Sequence, residues 1–151
     1  MRFSPLAPVA VAVSLAAFGV AQAATIEARD AWIRTPPPGA PTAAGYVTIT
    51  NHGIASDRLT GAATSSAASV APHHMSIAHG VMSMRPAVGG LPIGASATLR
   101  LSPSGDHLML MGLKAPLRAG QHVRMLLQFQ RAGNVAVDFT VRDAAPGGMH
   151  M

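Results

Sequence analysis

The chain of 151 residues is 49% hydrophobic, 11% charged and 4% aromatic, with a formal net charge of +5, and this composition suits one ordinary globular domain. Its arginines are scattered and its aromatics few, so the positive balance lacks the clustered, stacking-rich character of a nucleic-acid surface. Six carboxylates leave little material for acid-base chemistry, and the absence of cysteine excludes both a disulfide framework and a thiolate-bearing blue-copper centre.

Taken in order, Arg2, an apolar run from Leu6 to Val20 broken by Pro8, Ser14 and Gly19, and Ala21-Gln22-Ala23 make a basic n-region, an h-region and a small-x-small cleavage site. Residues 1–23 therefore read as a secretory signal peptide. As a single-pass anchor the run falls short of the roughly 20 residues a spanning helix needs. The mature chain is expected to start at Ala24 as a periplasmic protein without stable membrane insertion. Residues 24–34 suit a first strand, and Thr35-Pro36-Pro37-Pro38-Gly39-Ala40-Pro41 a rigid loop, because proline has no amide donor for a ladder. Residues 43–50 form a strand with Val47 and Ile49 on one face and Tyr46, Thr48 and Thr50 on the other.

Asn51-His52-Gly53 turns the chain, and residues 57–63 and 67–72 read as two short strands, although their alanines would also permit helix. Residues 81–85 give another strand, 86–94 a Pro/Gly-punctuated loop, and 96–101 further extended structure. Pro103-Ser104-Gly105 turns into a strand over 106–111. Residues 112–120 connect to 122–130 and 134–142, a hairpin around Ala132-Gly133-Asn134. Periodicity is lost from residue 143, and the end reads Gly147-Gly148-Met149-His150-Met151, a flexible tail over 144–151. Eight or nine short strands without a long helical pattern predict an all-β sandwich or barrel as a single domain over 24–143.

The chemistry concentrates between His73 and Met111. The first segment, His73-His74-Met75-Ser76-Ile77-Ala78-His79-Gly80-Val81-Met82-Ser83-Met84, holds three histidines and three methionines, and the second reads His107-Leu108-Met109-Leu110-Met111. Thioether sulfur is a soft ligand that favours monovalent copper over zinc, magnesium or calcium. Strand alternation puts His107, Met109 and Met111 on one side, and Met82 with Met84 on one side of theirs. Thioethers carry no proton, so only the histidines would make binding depend on pH, weakening it as they protonate. A lone methionine in a strand, such as Met125, is commonly core filler, and a lone His52 or His122 a surface residue. Joint occurrence argues otherwise here, since core packing gives no reason for His73, His74 and His79 to be imidazoles.

These segments resemble the periplasmic copper chaperones of the PCu(A)C family, whose pattern is His, ten residues, Met, twenty-one residues, His-x-Met. His73 and Met84 match the first spacing and His107-Leu108-Met109 the last element, while the interval from Met84 to His107 holds twenty-two residues, one more than the pattern. Trp32 with the proline loop, Ala44-Gly45-Tyr46, and the stretches 80–86 and 107–113 extend the likeness over most of the mature chain. The resemblance implies a cupredoxin-like Greek-key β-barrel that binds Cu(I) through His73, Met84, His107 and Met109. It also implies delivery to the dinuclear copper site of cytochrome c oxidase, with subunit II or another copper chaperone as acceptor. His74, Met75, His79, Met82 and Met111 are then neighbours or core. In the tail, Met149, His150 and Met151 could hold a second copper ion, divalent through His150, or cover the main site. The leading expectation is a copper carrier and not an enzyme; the alternatives are a copper sequestration protein and an exported β-sandwich interaction module without metal.

Overall fold

The computed structural model describes residues 25–143, so the expected signal peptide, its cleavage point and the expected tail over 144–151 lie outside the described residues. Ten strands follow one another: β1 Ile26–Arg34, β2 Thr42–Asn51, β3 Asp57–Ala63, β4 Ala67–Ala78, β5 Val81–Pro86, β6 Leu91–Ile93, β7 Thr98–Arg100, β8 His107–Leu113, β9 His122–Phe129 and β10 Gly133–Arg142. Seven close into a barrel in the order β4-β8-β2-β1-β10-β9-β3, and β3 returns to β4 through the pair Ala62 and Val70. The neighbours are antiparallel except β1 and β10. β5, β6 and β7 hang on β4, β3 and β2. The expected all-β, single-domain architecture is present.

Period-two alternation builds the core. Along β9, Val123, Met125, Leu127 and Phe129 are buried while Arg124 and Leu126 are exposed. Leu108 and Leu110 of β8 and Ile33, Val47 and Ile49 of β1 and β2 meet them inside. Full burial of one such side chain stabilises the fold by roughly 1.5–3 kcal/mol. At one end, the buried Asp57 carboxylate accepts from the backbone N–H groups of Arg58, Arg131 and Ala132 at 2.8, 2.8 and 3.0 Å, which ties β3 to the β9–β10 turn. In β1, Asp30 has φ 54 and the register with β2 shifts between Arg29 and Trp32. That bulge explains the weak alternation of this strand and lets Trp32 and Ile33 both be buried on opposite faces.

Two expectations need correction. There are ten strands, not eight or nine, because the 86–94 loop contains β6. The alanine-rich stretches are strands, as read from the sequence, and Asp57, Leu59 and Gly61 alternate inward along β3. Most consequential for the site, β4 does not stop at Pro72 but continues to Ala78. Pro72 sits where β4 changes partner: Val70 pairs with β3 on that side, and from His73 onward β5 takes over. The Pro72 carbonyl accepts from Ala87 N at 2.9 Å on this side, so the missing amide donor faces a gap in the pairing and costs no ladder bond with β8.

Candidate metal centre

β4 is the strand on which the candidate ligands assemble. It pairs with β8 from Ala67 to His73, where His73 stands directly opposite His107. Beyond that point its partner is β5 alone, and the hairpin of residues 74–85 projects past the end of β8. The turn is made by His79 and Gly80 with φ 53 and 75, the two-residue connection with positive φ at both positions that matches strand twist. Its register sets Met75 opposite Met84 and Ile77 opposite Met82.

Cross-strand partners share a face, so the register decides which ligands meet. His73 and Met75 of β4, Met82 and Met84 of β5, and His107, Met109 and Met111 of β8 all stand on the face turned away from the barrel core. Met84 is the diagonal neighbour of His73 across β5, and Met109 its diagonal neighbour across β8. Diagonal neighbours lie roughly 7–8 Å apart, within reach of long side chains. All four expected ligands thus share one face of three adjacent strands. The twenty-two-residue interval does not break the arrangement, because His107 still meets His73.

The two imidazoles are prepared in the same way. His73 Nδ1 is 3.1 Å from the carbonyl of Ala71, and His107 Nδ1 is 3.3 Å from that of Gly105. A carbonyl oxygen only accepts, so each Nδ1 carries the proton and each Nε2 keeps its lone pair for a metal. The rings are stacked with centroids 6.0 Å apart and planes at 21°. His107 is buried to 2% exposure, while Met84, on the edge strand, is 55% exposed. The set therefore grades from a buried imidazole on the barrel wall to an open thioether on the hairpin.

One feature goes beyond the sequence expectations. Tyr46 of β2 packs against His107 with centroids 6.4 Å apart, and Trp32 of β1 packs on Tyr46 at 4.8 Å. Both are buried yet stand outside the main core cluster, as an aromatic row continuing the His73–His107 stack. Burial raises the Tyr46 phenol above its ordinary value, with Arg34 opposing the shift. The only trace of this in the sequence is the outward position of Tyr46 in its strand.

The remaining candidates separate cleanly. His74 points to the opposite face, where its Nδ1 is 3.1 Å from the Asp106 carboxylate. His79 is occupied by the turn. His52 pairs with Glu27 at 3.4 Å, His122 is exposed, and Met125 is fully buried core. Met149, His150 and Met151 lie outside the described residues. Among the described residues no group of three His, Cys, Asp or Glu could hold a metal ion, so a metal here depends on thioethers. A cleft of about 770 Å³ between the proline loop and Leu113–Ala119 contains none of the expected ligands, and its lining offers no convergent metal-binding groups. No helix among the described residues is long and apolar enough to cross a membrane.

Residues 26–141 match the family model described as "Putative lipoprotein LpqE-like". A protein of Leifsonia xyli subsp. xyli (strain CTCB07), described as "Putative lipoprotein Lxx21020", is 38% identical over 122 residues, covering 81% of this chain and 72% of its own length. Among solved structures, the copper-bound PCuAC domain from PmoF2 superposes with a TM-score of 0.66 at 24% identity, covering 80% of this chain and 94% of that domain. The solution structure of Cu(I)-DR1885 from Deinococcus radiodurans gives a TM-score of 0.59 at 35% identity, over 82% of this chain and 80% of that one. With the match spanning nearly all of the described barrel, the chain belongs to the LpqE-like family, and its fold is the cupredoxin-like barrel of the PCuAC domains.

Proposed function

We propose that this protein is an exported copper carrier that binds Cu(I) through His73, Met84, His107 and Met109 and passes it to a copper enzyme. The observation that carries the reading is the shared face of β5, β4 and β8: two imidazoles with Nδ1 tied to carbonyls and Nε2 free, flanked diagonally by two thioethers. Four neutral ligands, two of them soft, suit a monovalent copper ion as cargo. Without a thiolate the set resists oxidation outside the cytoplasm. The similar Cu(I)-bound and copper-bound proteins support copper as the ion.

Residues 1–23 act as the export signal, residues 24–143 form the binding domain, and the protein works in the periplasm. The lipoprotein names of its relatives fit export, although a lipid on a cysteine has no attachment atom in these 151 residues. The protein carries the ion and does not catalyse. The acceptor is the dinuclear copper site of cytochrome c oxidase, reached through subunit II or another chaperone. The tail residues Met149, His150 and Met151 provide a secondary copper site that accepts Cu(II) through His150.

Titration of the 24–151 protein with Cu(I) against a competing chelator tests the main claim. The wild type is expected to bind one ion at the barrel at least about a hundredfold tighter than a variant lacking His73, Met84, His107 and Met109. Equal affinity of the two would overturn the assignment. Loss of copper to an apo fragment of oxidase subunit II tests the acceptor, and retention of the ion would point to sequestration. Copper stoichiometry unchanged on deleting residues 147–151 would remove the tail site.

A further inference from the structure

We propose that Met75 is a further copper-binding residue, an alternate thioether that exchanges with Met84 at the same ion; this rests on the copper reading above. Three of the four assigned ligands, His73, His107 and Met109, belong to paired positions of β4 and β8 on the barrel wall. The fourth must come from the projecting hairpin, and the hairpin offers two candidates in direct cross-strand contact, Met75 and Met84. Their placements are complementary. Met84 is diagonal to His73 but stands two strands away from His107. Met75 follows His73 by two residues on the same strand and face, and is the diagonal neighbour of His107. It is half-buried, nearer the barrel than the 55% exposed Met84.

Core packing does not account for Met75. The hairpin is solvated, with Ile77, Val81, Met82 and Met84 all more than half exposed, and neither Met75 nor Met84 joins the core cluster. Two thioethers paired at one end of a three-ligand platform permit a concerted interchange: the Met75 sulfur donates a lone pair to Cu(I) as the Met84 sulfur withdraws its own. No proton or electron moves, and the ion keeps four ligands throughout. The Met84 thioether, on the open edge strand, is then free to be replaced by a ligand of the acceptor while Met75 keeps the ion on the wall.

The test compares Met75→Leu, Met84→Leu and the double variant with wild type and His107→Ala, by Cu(I) competition titration and by the methyl resonances of isotopically labelled methionine. Leucine keeps the volume and apolarity of methionine at both the half-buried and the exposed position, and thermal unfolding confirms that each variant is folded. Each single variant is expected to lose less than about tenfold in affinity and the double variant more than about a hundredfold, a non-additive pair. The Met75 methyl resonance should shift on adding one equivalent of Cu(I) to the wild type, and shift further in Met84→Leu. A double variant no weaker than Met84→Leu, with an unmoved Met75 resonance, overturns the proposal while tight wild-type binding lost in His107→Ala upholds the copper reading. Absence of Cu(I) binding by the wild type overturns both.

Discussion

The barrel wall and the projecting hairpin meet at His73, and they treat the same residue types differently. On the wall, His107 is 2% exposed, stacked on His73, packed against a tilted Tyr46 ring and fixed by a carbonyl; Leu108 and Leu110 beside it are fully buried. On the hairpin, Met82 and Met84 are 61% and 55% exposed and the strand carrying them has one neighbour. Among the four expected ligands, the imidazole of His107 stands where the scaffold is over-determined and the thioether of Met84 where it is open. A site made this way divides two tasks, since the wall can preorganise the ion's ligands and the hairpin can yield them.

Three experiments would break or sharpen this contrast. The largest effect is expected for Leu110→Ala on the wall, which should lose about 2–5 kcal/mol of unfolding free energy in chemical denaturation. Met82→Ala on the hairpin should change it by less than about 0.5 kcal/mol. Comparable losses at the two sites would show that the hairpin is part of the cooperative core.

Next in size, Asp57→Ala removes the acceptor for three backbone N–H groups at the β9–β10 turn. It should cost about 1–3 kcal/mol and leave Cu(I) affinity unchanged, because the hydrogen-bond partners of Asp57 include none of the four expected ligands. A fall in affinity together with stability would mean that strain passes around the barrel from β3 to the strands that carry the histidines. The smallest effect concerns Tyr46, the single tyrosine, whose phenol burial holds above the ordinary value of 10.0. The folded state retains that proton more tightly than the unfolded one, so the associated stability is present below pH 10.0 and declines as pH rises through the raised value. An ultraviolet titration of the folded protein should show ionisation displaced above that of free tyrosine, and Tyr46→Phe should remove this part of the alkaline loss. Ionisation at the ordinary value would show that the row beside His107 is open to water.

Much of this was legible in residue order, and the exceptions have physical causes. Alternation alone places Leu108 and Leu110 inward and His107, Met109 and Met111 outward, as found. The pairing of His73 with His107 is a matter of register between strands far apart in sequence, which no local pattern encodes; the family spacing supplied it indirectly. Pro72 misleads because a proline normally ends pairing, and only the change of partner from β3 to β5 makes it harmless. His79-Gly80 carries a turn signal, a residue tolerant of positive φ before glycine. Read instead as a ligand-bearing position, it hides the register that sets Met75 against Met84. Alternation sets Tyr46 on the face opposite Val47 and Ile49, as found, but its burial against His107 depends on Trp32 arriving through the bulge at Asp30.

The barrel closes between β3 and β4 through a single residue pair, Ala62 and Val70, whereas β4 is laddered to β8 from Ala67 to His73. In hydrogen-exchange terms this is a seam whose amides should lose protection before those of the β4–β8 ladder. An opening there would swing β4 and β8 away from β3 as one leaf, with the His73–His107 pair still joined. The molecule can therefore breathe without separating its two imidazoles, so that an ion held as proposed need not be released by transient loosening of the barrel.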